Sequence, residues 1–234
     1  MLAVRLIPAL VLILTFSAGC APPTGWVEQE LERRLPELVG PADLYDVQIE
    51  GLRARSGEAT RIVAVGERVQ PEDAPVVDHF ELDLHGVVFD RSEKRIERVD
   101  SARASARITA LDLEAFLEDQ RNVRDARVTL RESDEATIRV RPELGGIALP
   151  RGVEVKLTGR LEAENGRIQF VVSDVEAAGL DLGSAAARRL SDLINPLVDF
   201  ADSEIRLQIT SVRTVEDAVL LDATGDLSGL RLKR

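Results

Sequence analysis

The residues best suited to chemistry form one short alternating run. His79, Glu81, Asp83 and His85 alternate with Phe80, Leu82 and Leu84, so a strand places four potential metal ligands on one face. His79 and His85 are the only two histidines in the chain. Six residues of strand hold them about 20 Å apart, whereas zinc ligands converge at about 2 Å, so one ion cannot take both without a sharp bend. The expectation is a solvated polar face and no metal. A nucleophilic triad needs Ser or Cys, an imidazole and an orienting acid within reach. Only these two histidines are available as bases, the single cysteine is Cys20, and there is no G-x-S-x-G elbow. Walker A and G-x-G-x-x-G loops are absent, which leaves nucleotide chemistry without a handle. Carboxylates are plentiful, but no segment singles out two of them for glycosidase-type work. Asp174, Asp181 and Asp199 fall near the ends of elements, where acids cap or are solvated. The residues therefore point to no enzyme and no cofactor.

Cys20 carries a different chemistry. Arg5 is the only charge in the first 20 residues, Leu6–Phe16 is an unbroken apolar run, and Ser17, Ala18 and Gly19 are small. That is the layout of a secretory signal over residues 1–19, and its apolar run falls short of the roughly 20 residues a spanning helix takes. Cys20 then stands where a bacterial lipoprotein carries its acylated cysteine. The segment resembles a lipobox, with Ser17 where Leu is usual. The expectation is a lipid anchor (palmitate or a related acyl group) at Cys20, a tether over residues 20–25 and a single domain over 26–234, held on the outer side of the cytoplasmic membrane. Ordinary cleavage with Cys20 as an incidental thiol is the alternative.

Composition narrows the partners. The chain is 44% hydrophobic and 30% charged, with a net charge of −11 that becomes −12 once Arg5 leaves with the signal. That is globular rather than disordered, and no basic stretch offers a footprint for nucleic acid. One cysteine permits no internal disulfide, so an apolar core must hold the exported fold. Aromatics are only 3%. The aromatic anchors that dominate protein interfaces are scarce, while aliphatic walls suit either an ordinary core or acyl chains.

The elements that position these residues follow from hydrophobic period. Val27, Leu31, Leu35 and Leu38 have helical spacing, with Pro36 late in the run. From Tyr45 the period becomes two: Tyr45, Val47 and Ile49, then the His79–His85 run. Ala102, Ala104 and Ala106 share a strand face and leave room for a helix or a ligand. Thr109 reads as an N-cap before Leu113, Phe116 and Leu117. Further strands carry Val128, Ile138, Val155 and, after an Asn165-Gly166 hairpin signal, Ile168, Phe170 and Val172. Ser184 opens a helix over 185–195 with Leu190, Leu193 and Ile194 apolar, and a last hairpin closes the chain. Few helices among many strands, placed between hairpins, predict an α+β fold with antiparallel sheet.

The order of segments adds a resemblance. Arg107–Leu117 (RITALDLEAFL), Val123–Leu130 (VRDARVTL), Gly152–Phe170, Ala185–Asp199 (AAARRLSDLINPLVD) and Ile205–Val212 resemble the LmeA-like phospholipid-binding family. The most specific pieces are the T-x-x-D-L-x-x-F-L helix and the L-I-N-P-L-x-D helix end. The resemblance implies an exported, membrane-associated protein that binds phospholipid in the cell envelope. It also implies a curved antiparallel sheet wrapping helices, similar to tubular lipid-binding modules, with acyl chains between them. The expected wall residues are Leu113, Phe116, Leu117, Phe170, Val172, Leu190, Leu193 and Ile194, with Ala102, Ala104 and Ala106 widening the groove. Lipid sequestration, transfer or presentation to an envelope enzyme or transport partner is the expected role. The rivals are a scaffold lipoprotein with a protein partner and an envelope lipid or glycan hydrolase.

Overall fold

A computed structural model describes residues 24–229 apart from 91, 93–94, 121, 133–134, 143–152, 165, 182 and 200–205. The signal segment and Cys20 lie outside the described residues, and so does the side chain of Leu193. The chain opens with α1 (Thr24–Leu38), so Thr24 and Gly25 of the expected tether are already helical. Then come β1 (Leu44–Glu50), β2 (Glu58–Val69), β3 (Val77–Asp90), β4 (Arg95–Arg98), β5 (Ser101–Thr109) and α2 (Ala110–Asp119). A second run holds β6 (Val123–Leu130), β7 (Glu135–Pro142), β8 (Val155–Glu164), β9 (Arg167–Ala177), β10 (Leu180–Asp181), α3 (Gly183–Ile194) and β11 (Val198–Asp199). The hairpin β12 (Arg206–Val215) and β13 (Ala218–Asp226) ends the described chain.

The strands form two open antiparallel sheets, not a closed barrel. The first runs β1-β2-β3-β5-β13-β12, with β4 also on β3; the second runs β10-β9-β8-β7-β6, with β11 also on β9. Period-two patterning sets which face is inward. In the first sheet Val47, Ala64, Leu82, Ala104 and Ala223 align across successive strands, and Phe80, Ala106 and Leu221 form the next row. In the second, Val128, Ile138, Leu157 and Val175 align in the same way. The two inner faces share one hydrophobic core. The sheets also meet through β12, where Thr214 Oγ1 donates to the carbonyl of Arg131 at 2.5 Å.

Each sheet seats an aromatic ring on a glycine of the neighbouring strand. A Cβ on Gly66 would lie 2.8 Å from Tyr45 Cε1, and one on Gly159 would lie 3.0 Å from Phe170 Cζ. Both rings thus use the space a side chain would fill, which fixes register on the inward faces.

α1 and α2 lie along the edge strands β1 and β6, α3 lies along the part of β9 that β10 and β11 leave uncovered, and side chains on or just after each helix bond to the strand. On α1, Glu28 Oε1 accepts from the Ile49 N–H at 2.9 Å and Glu32 Oε1 from the Val47 N–H at 3.2 Å. On α2, Glu114 Oε1 accepts from the Val128 N–H of β6 at 2.9 Å. After α3, Asn195 Oδ1 accepts from the Phe170 N–H at 2.7 Å while its Nδ2 donates to the Phe170 carbonyl at 2.9 Å. An open strand edge presents unpaired N–H and C=O groups that invite foreign strands, and these contacts occupy them.

Candidate functional site

The expected site residues divide among three places. Leu113 and Leu117 are buried on the face of α2 that packs against β6, and Phe116 is half-buried beside them. Phe170 is fully buried on β9, Val172 is half-buried, and Leu190 and Ile194 are buried on α3. β6 and β9 lie at opposite sides of the second sheet with β7 and β8 between them. Three strand spacings separate the α2 group from the α3 group by about 14 Å. Ala102 and Ala104 are buried in the first sheet, where their register partners on β3 are Leu84 and Leu82.

The two sequence motifs behind the resemblance are both anchors. In the first, Thr109 Oγ1 accepts from the Asp112 N–H at 3.1 Å, the N-cap expected from sequence. The buried Asp112 carboxylate lies 2.8 Å from Arg68 Nη1, and that hydrogen bond is the main reason the Arg68 guanidinium is held above its ordinary pKa. Arg68 itself stands at φ +55. In the second motif, the Asn195 amide pairs both ways with Phe170, the Asn195–Pro196 peptide is cis, and Leu197 and Val198 are buried where β11 joins β9.

Three of the four polar residues of the β3 run, His79, Asp83 and His85, have charged partners. Arg61 clasps Asp83 with Nε at 2.9 Å and Nη2 at 3.1 Å, which holds the Asp83 carboxyl below its usual range. His85 Nε2 sits 3.4 Å from the same carboxylate, and His79 Nδ1 is 2.9 Å from Glu67. Both rings are partly exposed on the outer face of the first sheet. Among the described residues no three of His, Cys, Asp and Glu are grouped to hold a metal.

A cleft of about 480 Å³ lies between β9 and α3, within the roughly 300–1,000 Å³ of small-molecule sites. One wall is β9 from Gln169 to Val175, and the other is Gly183, Ala187, Arg188, Ser191 and Asn195. Those positions fall at helical spacing on one stripe of α3, while Leu190 and Ile194 on another stripe face the core. β10 pairs with β9 at Glu176 and Ala177, and β11 pairs with it at Arg167 and Ile168. The stretch between them is bordered by α3 alone. Its register shifts, with Val172 opposite Gly159 and Asp174 opposite Thr158, so Ser173 is an extra residue. This bulge brings Ser173 and Asp174 to the surface in succession and returns Val175 to the core. Val171, 38% exposed, stands at the same cleft.

A second cleft of about 450 Å³ lies over Arg139, Glu154, Lys156 and Glu176. Its charges satisfy one another: Lys156 Nζ is 2.8 Å from Glu176 and Arg139 Nε is 3.9 Å from Glu154. The β9–α3 cleft is the one that adjoins residues expected from sequence. Sequence reasoning missed Ala187, Arg188 and Ser191, because helical spacing there shows which residues avoid the core and not what they overlook.

No curated protein and no solved structure matches the chain. The model of the LmeA-like phospholipid-binding family matches residues 24–224. That span contains both anchor motifs, both sheets and the β9–α3 cleft, so the chain belongs to the LmeA-like phospholipid-binding family.

Proposed function

We propose that this protein is an envelope lipoprotein that holds phospholipid with acyl chain laid along the β9–α3 trough. The observation that carries the reading is the incomplete coverage of β9, where a cleft opens between its stretch from Gln169 to Val175 and the Ala187–Ser191 stripe of α3. A half-buried Val172, a half-buried Ala187 and an exposed Val171 supply an apolar lining. Family membership supports lipid as the occupant. The likeness to tubular lipid-binding modules, in which antiparallel sheet and helix enclose acyl chain between them, belongs to this proposal.

Anchoring through an acylated Cys20 on the outer side of the cytoplasmic membrane keeps the trough near its lipid supply. The role is binding for sequestration, transfer or presentation, without catalysis: the chain's only imidazoles are engaged with Glu67 and Asp83 on the far sheet.

The test is to extract the purified mature protein with organic solvent and identify the extract by mass spectrometry. Stoichiometric phospholipid from wild type and its loss from Ala187→Phe are expected. A lipid-free extract together with no uptake from vesicles would reject the reading in favour of a scaffold. For the anchor, wild type should enter the detergent phase and Cys20→Ser should not; equal partitioning rejects acylation there.

A further inference from the structure

The trough carries one cation and one anion that the fold leaves unused. Arg188 on α3 and Asp174 on the β9 bulge both line it, and both are exposed. Among the described residues neither has a hydrogen-bond or ion-pair partner. The neighbouring cleft over Lys156 and Glu176, by contrast, pairs its charges internally. α3 runs antiparallel to β9, because its start follows β10 beside Glu176 and Asn195 at its end is tied to Phe170. Arg188 therefore falls midway along the trough, near the bulge that presents Asp174. Ser191 adds a hydroxyl: its Oγ accepts from Asn195 Nδ2 at 2.9 Å, which leaves its own hydrogen free to donate.

Resting on the acyl-chain reading above, we infer that the trough selects a phospholipid whose headgroup joins a phosphate to a primary ammonium, as in phosphatidylethanolamine. Arg188 supplies the planar donor fork that suits phosphate oxygens, with Ser191 beside it. Asp174 accepts from the ammonium. A purely anionic headgroup meets repulsion from Asp174. A quaternary ammonium has no proton to donate to that carboxylate, and the only aromatic side chain at the trough, Phe170, is fully buried and offers no face for a cation–π contact.

The experiment uses delipidated protein and a fluorescent phospholipid displaced by phosphatidylethanolamine, phosphatidylcholine or phosphatidylglycerol of identical acyl composition. Wild type should prefer the ethanolamine lipid by about tenfold, the scale of one charge-assisted hydrogen bond. Asp174→Asn should erase that preference and raise phosphatidylglycerol binding, while Arg188→Gln should weaken all three lipids alike. Both side chains are exposed, and thermal melting confirms that each variant is folded. Equal binding of all three lipids by wild type, or an ethanolamine preference that survives Asp174→Asn, overturns the headgroup assignment and leaves the trough as an acyl site. Failure of all three to bind, with Ala187→Phe indistinguishable from wild type, overturns the trough itself and the headgroup assignment with it.

Discussion

Strands β6 and β9 lie towards opposite sides of the same sheet, and each is flanked by a helix, but the two helices meet their strands differently. α2 presses Leu113 and Leu117 into the core and places Glu114 on the Val128 N–H, with Arg127 Nη1 3.6 Å from the same carboxylate. α3 buries Leu190 and Ile194 but bonds to β9 at its far end, through Asn195 and Phe170. Along the rest of the helix, from Gly183 to Ser191, the 480 Å³ cleft lies between it and β9. Both helices solve the problem of a bare sheet edge. One does it by sealing, and the other leaves a trough that a ligand can complete.

The largest effects should separate stability from binding at the two edges. Leu117→Ala removes a fully buried side chain under the sealed edge and should cost about 2–5 kcal/mol in denaturant unfolding. Lipid bound per folded molecule should stay unchanged, and its loss would break the division between the edges. Asn195→Ala leaves the Phe170 N–H and C=O without partners and should cost about 2–3 kcal/mol, with lipid capacity falling alongside. Retained lipid in that variant would mean the far-end clasp does not shape the trough. Glu114→Ala should cost about 1 kcal/mol, visible in melting and silent in lipid titration.

A third edge, β1 under α1, offers a smaller test. The Tyr45 hydroxyl donates to the Gly40 carbonyl at 2.7 Å, and burial pushes its pKa up to about 12. A raised phenol pKa means the folded state favours the neutral form. That contribution is full below the unfolded value of about 10 and is lost as pH rises from there through about 12. Tyr45→Phe should flatten this alkaline loss, measured as melting temperature against pH. An unchanged alkaline slope would assign the loss to other groups.

Much of this architecture is legible in the period of the sequence. Thr109 caps α2 as its side-chain chemistry predicts, and the helix expected over 185–195 forms over 183–194. β8 and β9 join at the expected hairpin, with Gly166 at φ +77; Asn165 lies outside the described residues. Period says nothing of partner choice, however. β13 comes last in the chain yet lies inside the first sheet between β5 and β12, because pairing depends on contacts far apart in sequence. Nor could spacing show what the polar helix faces do. Glu28, Glu32 and Glu114 look like solvent-facing charge, and only the packed sheets reveal the strand N–H groups they meet. Likewise Leu113 and Leu190 share an apolar signature, but they lie at opposite edges of one sheet. The single extra residue at Ser173, which puts Asp174 in the trough, breaks alternation too briefly to be read.

The contrast between the two edges can be tested most directly with a phospholipid that carries a photoactivatable diazirine in one acyl chain. Irradiated with the delipidated protein and mapped by peptide mass spectrometry, the label should attach within residues 169–175 and 183–195. Adducts confined to residues 110–130, along α2 and β6, would contradict the assignment and place the lipid at the sealed edge.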